Sequence, residues 1–231
     1  MEPKIELKEN RNGLLWPYYQ GEKAWSPSSL VEILKLIEYE DKQIPEIVLQ
    51  RAAKNGKLFH QIIQEFIQTG EEDLAPGTEI SPKIQKKLQE TIYFLEKNKK
   101  LLNNHCFLGS ERLHHAFYKG VLVATYVDLE FADCIVELKT NNIKMHESPL
   151  TLLSFQIQLL IQHLCTQKEV YLLWSTGNGV IFHRFQPTPS LFRILDELID
   201  LVKKKDTYTI LEKRAIVEKI LIDYVPHRLI N

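Results

Sequence analysis

The chain has 231 residues, 44% of them hydrophobic and 26% charged, which is ordinary globular composition and enough chain for one well-packed domain. Lysine and arginine number 29 against 30 acids, a net charge of −1, so nucleic-acid binding driven by global charge is excluded and any such contact needs a local basic groove. Cys106, Cys134 and Cys165 lie far apart with no CxxC pair, which argues against structural zinc or a disulfide framework and for a reducing interior.

The opening MEPKIELKEN has no apolar core of the signal-peptide kind, and no apolar run approaches the roughly 18 residues of a membrane span. The expectation is a soluble intracellular protein with no membrane partner. Residues 1–25 are polar with scattered aromatics, broken by Trp16-Pro17 and Gly21, and are expected to form an irregular arm. Ser26-Pro27-Ser28-Ser29 then reads as a capped helix start, with Leu30, Ile33, Leu34 and Ile37 at helical spacing. A second helix is expected after Ile44-Pro45, running through Ala53 and interrupted at Asn55-Gly56. The chain resumes with Phe59, Ile62, Ile63, Phe66 and Ile67 as an apolar stripe.

Residues 70–78 read as an acidic loop. Pro82 to Leu102 reads as a helix with Ile84, Leu88, Ile92 and Leu95 inward and Lys83, Lys86, Lys87, Lys97, Lys99 and Lys100 outward. That lysine face is either a solvated surface or a rail for phosphates. Three strands follow between Glu111 and Thr140, then a loop and the apolar helix LLSFQIQLLIQHLC. VYLLWS and VIFHRF read as a hairpin across residues 176–179, and two helices after Ser190 separate near Lys205-Asp206. Helices, consecutive strands, a helix, a hairpin and further helices predict an α/β domain with a central mixed β-sheet flanked by helices.

The chemistry concentrates in ERLHHAFYKGVLVATYVDLEFADCIVELKT, residues 111–140. A turn centred between Ala132 and Asp133 sets Asp128 opposite Glu137 and Tyr126 opposite Lys139. Alternation then puts Glu137 and Lys139 on the same side as Asp128. Opposed carboxylates on a sheet repel, and a divalent cation held by both, with the lysine beside it, is one compensation. The other reading is a surface ladder of charges, but VLVATYVDL and IVEL are apolar on both parities, as buried central strands are, and unpaired charges there are costly.

His60, four residues after Gly56, is either a satisfied core histidine or a further metal ligand, with the glycine allowing close backbone approach. Pairing across Tyr118-Lys119-Gly120 sets Glu111 opposite about Val127, within one residue of Asp128, where a register step decides its face. Gln158 and Gln162 share one face of an apolar helix and need partners, either backbone or a lysine or phosphate at the site. No GxxxxGK loop, dinucleotide glycine fingerprint or GxSxG elbow is present.

In this order the residues resemble the PD-(D/E)XK nuclease superfamily, and within it the branch of RecB-type nuclease domains, CRISPR-associated exonucleases and mitochondrial genome maintenance exonucleases. The resemblance covers about residues 26–165. It runs through the serine-rich helix start, Gly56 to His60, Glu111 in GSERL, Asp128 in YVDL, Glu137 and Lys139 in VELKT, and Gln158. It implies a single domain with a restriction-endonuclease-like core over 26–185, preceded by the 1–25 arm and followed by helices over 190–231. It also implies Mg²⁺ or Mn²⁺ held by His60, Asp128, Glu137 and the carbonyl of Leu138, with Lys139 acting on water or phosphate. Glu111 would hold a second metal or support the first, and Gln158 would position Lys139 or a phosphate. The implied activity is DNA hydrolysis, as an exonuclease on single strands or ends in repair, recombination or genome maintenance, in a cytoplasmic or nucleoid-associated protein. The alternative is a degenerate nuclease fold that binds DNA or a protein partner. Thr125 stands where the family has glycine and Gln162 where it has tyrosine. The cysteines that hold an iron–sulfur cluster in some relatives have no counterparts, so no cluster is expected.

Overall fold

Strand β5, Val121–Phe131, and strand β6, Cys134–Lys139, are almost wholly buried, as their apolar parity predicts. Around them the computed structural model builds a five-stranded sheet in the order β4-β5-β6-β7-β8, with β4 at Phe107–Tyr118, β7 at Glu169–Ser175 and β8 at Val180–Arg184. The model describes residues 4–10, 13–34, 46–70, 80–98, 106–140, 149–176, 178–204 and 207–224. The pairs are antiparallel except β6 with β7, which is parallel. A parallel pair needs a crossover, and helix α4, Pro149–Thr166, supplies it. The fold is therefore mixed α/β with helices on both faces of the sheet.

One face carries α4 with α1 (Pro27–Leu34), α5 (Pro189–Lys203) and α6 (Ile210–Asp223), around Val127, Ile135, Leu172 and Trp174. The other carries α2 (Glu46–Thr69) and α3 (Pro82–Lys97), around Leu129, Val136, Leu138 and Leu173. The turn between β4 and β5 has positive φ at both Lys119 and Gly120, the geometry that matches strand twist in two-residue hairpins. No helix among the described residues is long and apolar enough to cross a membrane.

Several expectations need correction. Residues 1–25 are not an irregular arm: Ile5–Glu9, Leu15–Tyr19 and Glu22–Lys23 form a three-stranded antiparallel sheet, β1-β2-β3. Its Trp16 packs with Ala24, Leu122 and Ala124, and Pro17, which lacks an N–H, still accepts from the Ala24 N–H at 2.9 Å, so the proline does not break the strand. Helix α2 runs unbroken through Gly56; a glycine costs a helix interior only ~1 kcal/mol, and burial of Phe59, Ile62 and Ile63 outweighs that. In α3 the expected inward residues are buried, but Lys87 is buried with them at 2% exposure, and burial with the neighbouring Lys83 charge lowers its pKa. Ile37, the loop over 71–78, Lys99, Lys100 and the loop over 141–148 lie outside the described residues.

Candidate active site

The turn at 132–133 sets the register expected of it, with Leu129 opposite Val136 and Glu130 opposite Ile135. Beyond Leu129 the ladder stops. Asp128 and Glu137 are not a hydrogen-bonded rung; Asp128 Oδ2 instead accepts the backbone N–H of Leu138 at 2.7 Å. Strict alternation would also put Val127 and Leu129 on one face, yet Val127 packs on the α4 side and Leu129 against α2 and α3. Alternation breaks once, at Asp128, and the break wedges a carboxylate between two central strands.

Helix α2 meets that carboxylate with one face. His60 Nδ1 lies 3.3 Å from Asp128 Oδ1, and one turn on, Gln64 donates to the Asp128 carbonyl at 3.3 Å. Positions i and i+4 of a helix share a face, so both contacts follow from one helix orientation. Gly56 does not explain the approach, because a Cβ placed there meets nothing within 4 Å.

Glu137 is held from the opposite face. Its Oε1 accepts from Gln158 at 2.6 Å and from Lys139 Nζ at 2.5 Å. Its Oε2 accepts from Gln162 at 2.5 Å. Gln158 was expected to hold Lys139 or a phosphate; it holds Glu137. Gln162, a departure from the family pattern by sequence, supplies the matching second grip, which the four-residue spacing on one face was the signal to find. Lys139 Nζ also sits 5.5 Å from the centre of the Phe155 ring, a cation–π distance.

Burial disfavours charge on both acids, and the neighbours decide the outcome. For Asp128, the hydrogen bond and charge of His60, Lys139 and the Leu138 N–H outweigh burial and lower the pKa. For Glu137, burial and then the Asp128 charge prevail over Lys139 and Gln162 and raise it. Negative charge therefore settles on Asp128, and Glu137 is the more readily protonated of the two. Burial opposes charge on His60 and Lys139 as well, but Asp128 and Glu137 outweigh it and raise both.

Glu111 stands apart. Arg112, not Glu111, is opposite Val127, which puts Glu111 level with Asp128 across the strand pair, one residue from the expected register. Its φ is +48° and its side chain is exposed. Burial and then the Glu111 charge push the Tyr126 pKa upward, so that carboxylate is felt by Tyr126. Two residues beyond Asp128 is a cluster the sequence did not reveal. Glu130, 3% exposed, meets Lys168 Nζ at 2.7 Å, His114 Nε2 at 2.9 Å and Arg112 Nε at 3.0 Å. His114 and Arg112 are local in sequence, but Lys168 arrives only through the α4 crossover.

No family model matches the sequence, and no curated protein matches it. Solved structures similar in outline include these two. One, from Eubacterium rectale, is described as a "putative exonuclease"; it is 11% identical with a TM-score of 0.44, over 85% of this chain and 82% of that one. The other, SSO0001, is 15% identical with a TM-score of 0.37, over 80% and 78%. Likeness at this level carries no functional weight, and the site stands on its own residues.

In kind, two carboxylates and an imidazole suit a hard or borderline divalent ion such as Mg²⁺ or Mn²⁺. A strand residue sends its N–H and C=O to the same side, so the Leu138 carbonyl faces the Asp128 side with its N–H. In spacing, no three His, Cys, Asp or Glu side chains among the described residues gather closely enough to hold an ion. Lys139, Gln158 and Gln162 instead take up the oxygens of Glu137. The donor types fit a divalent ion, and the amide and ammonium donors compete with it for Glu137.

Proposed function

We propose that the chain is a Mg²⁺- or Mn²⁺-dependent nuclease of the PD-(D/E)XK type that hydrolyses phosphodiester bonds in DNA, acting as an exonuclease on single strands or ends. In this reading residues 26–185 are the restriction-endonuclease-like core and the helices after residue 190 are additions. The observation that carries the proposal is the convergence of Asp128, Glu137 and Lys139 with His60 from α2 and Gln158 from α4 in one buried cluster. Those are, Glu111 apart, the charged and amide residues on which the family resemblance rests, and they come from four elements, α2, β5, β6 and α4.

Asp128, Glu137, His60 and the Leu138 carbonyl are the groups that would hold the ion. A bound divalent ion supplies a lowered water pKa and polarisation of the scissile phosphate. Asp128, kept ionised by His60 and Leu138, is the permanent anionic ligand. Glu137 must be ionised to join it, and Gln158, Gln162 and Lys139 each favour that ionised form. Lys139, fixed by Glu137 and the Phe155 ring, presents an ammonium to the phosphoryl oxygens as charge builds there, a kind of contribution whose removal costs about 10²–10³ in rate. Glu111, exposed on the neighbouring strand, would hold a second ion or support the first through water.

The test is cleavage of labelled DNA. Lys139→Ala is expected to abolish Mg²⁺- or Mn²⁺-dependent cleavage with the circular dichroism of the fold unchanged; full activity in that variant sinks the assignment. Linear against circular single strands separates exonuclease from endonuclease action.

One observation favours the second reading, a catalytically degenerate module that binds DNA or a protein partner: three donors already engage both oxygens of Glu137. Thermal unfolding with Mn²⁺ discriminates. A competent site is stabilised by the ion, by about 2.7 kcal/mol at a hundredfold excess over its Kd, and Asp128→Ala removes the effect. Absence of any shift in the wild-type chain favours the degenerate module.

A further inference from the structure

Beside the carboxylate of Asp128 opens a cavity of about 460 Å³, lined by the rings of Trp16, Tyr126 and Phe155 and by Ser26, Ser28 and Thr125. Asp128, Gln158 and Glu32 line it as well. Trp16 comes from the N-terminal sheet, outside the stretch that resembles the nuclease family. The rings are fixed by their own polar handles: Trp16 Nε1 donates to the Ala24 carbonyl at 2.9 Å, and Tyr126 Oη donates to the Leu15 carbonyl at 2.7 Å. Trp16 and Tyr126 lie with centroids 5.9 Å apart, and Phe155 is braced edge-on by Trp174 at 5.5 Å.

The geometry points to a nucleobase site: this cavity seats one unpaired nucleotide, base against the rings, next to the phosphodiester cut at Asp128. The inference rests on the nuclease reading and adds to it the place and form of the substrate. Three properties of the lining carry it. Of the lining residues the charged ones are the carboxylates Asp128 and Glu32, with ammoniums only against the rings, Lys23 Nζ 5.6 Å from Trp16 and Lys139 Nζ 5.5 Å from Phe155, so the lining itself favours a neutral base over a phosphate. Aromatic side chains are the platforms on which single-strand binders stack bases. At about 460 Å³ the volume falls in the ~300–1,000 Å³ range of small-ligand sites, room for a nucleotide and not for a duplex.

Phe155 links the cavity to the chemistry. Its ring lines the cavity and also carries Lys139 Nζ at 5.5 Å, so a base on that ring has its own phosphate near the ammonium. Thr125 Oγ1 already donates to the Tyr126 carbonyl at 3.0 Å and Ser26 Oγ is engaged with Ser28 and Ser29, so the wall offers few fixed donors or acceptors that could tell one base edge from another. The site is accordingly tolerant of sequence and demanding of single-strandedness.

The experiment measures fluorescence anisotropy of three labelled probes with the full chain in EDTA: oligo(dT), an abasic strand of equal length, and a blunt duplex. The wild-type chain is expected to bind oligo(dT) about 5- to 150-fold more tightly than the abasic strand, the range for one stacked base, and the duplex no better than the abasic strand. Phe155→Ala is expected to erase the preference and Phe155→Trp to restore it. Because Phe155 is partly buried, Ser28→Trp, at an exposed position whose new ring fills the cavity, provides an independent variant that should erase the preference in a folded chain. Equal affinity of the wild-type chain for oligo(dT) and the abasic strand, or a preference untouched by Ser28→Trp, overturns the site. Metal-dependent cleavage that persists without a base preference overturns this inference and leaves the nuclease reading standing. A base preference in a chain that cleaves nothing supports the cavity and defeats the nuclease reading.

Discussion

Replacing Gln162 with methionine removes one amide donor at nearly constant volume. Gln162 is 0% exposed and Glu137 3%, and they meet at 2.5 Å, so solvent cannot supply a substitute donor. A hydrogen bond to a charged group contributes about 1.5–3 kcal/mol. Against this, the Gln162 Oε1 atom is buried with no hydrogen-bond partner among the described residues, and its removal returns about 1 kcal/mol or more. The expected net loss is about 1 kcal/mol when Glu137 is ionised and none when it is protonated. The pKa of Glu137 is already raised, by burial and then by Asp128. An acid raised in the fold contributes stability below its unfolded value and loses it as pH rises through the higher folded value. Gln162→Met moves that folded value further up, so the destabilisation must grow with pH above the unfolded carboxylate range. Urea unfolding of both proteins at pH 4 and pH 8 measures it. The pH profile of metal-dependent cleavage gives an independent readout: its ascending limb must shift to higher pH, since Glu137 ionises later. A destabilisation equal at both pH values, with superimposable activity profiles, would refute the clamp.

Further predictions follow from other contacts. Glu130→Gln removes the charge that Arg112, His114 and Lys168 share and should destabilise by about 3–5 kcal/mol at neutral pH, the range for breaking a buried pair. Burial works against ionised Glu130, but the Lys168 and His114 bonds outweigh it and lower its pKa. The stabilisation is therefore present above the unfolded carboxylate value and lost as pH falls through the lowered one. Denaturation midpoints for wild type and variant must converge on the acid side, and a constant gap contradicts the ion-pair account. Gly56→Ala should stabilise α2 by about 0.5–1 kcal/mol, because a Cβ there meets nothing within 4 Å, and should leave cleavage unchanged. A loss of activity with the helix intact would restore the idea that substrate approaches the Gly56 backbone.

The sheet was legible because β5 and β6 are apolar on both parities and the 132–133 turn fixes their register, and Asp128, Glu137 and Lys139 could be placed from that alone. What alternation could not reveal is the break at Asp128, because it depends on α2 pressing His60 and Gln64 onto one side while β6 offers the Leu138 N–H on the other. Glu111 was set one residue off for a simpler reason: the turn was centred on Lys119, whereas Lys119 and Gly120 together form it and pair Tyr118 with Val121, which moves every partner on β4 by one. Gln162 was visible as a buried amide on the Gln158 face but read as a missing tyrosine, since only the strand position of Glu137 shows what it holds. The N-terminal sheet escaped notice because its strands are short and one contains a proline, and with it the Trp16 wall of the cavity was missed.

The central claim is that Asp128 and Glu137 hold a divalent ion used to cut phosphodiester bonds. Incubation of 5′-labelled single-stranded DNA with wild-type chain and with Asp128→Ala, in Mn²⁺, Mg²⁺ and EDTA, tests it directly. Shortened products from the wild type with either metal, none in EDTA and none from Asp128→Ala are the result predicted. Cleavage that survives EDTA or Asp128→Ala, or intact DNA under every condition, contradicts it.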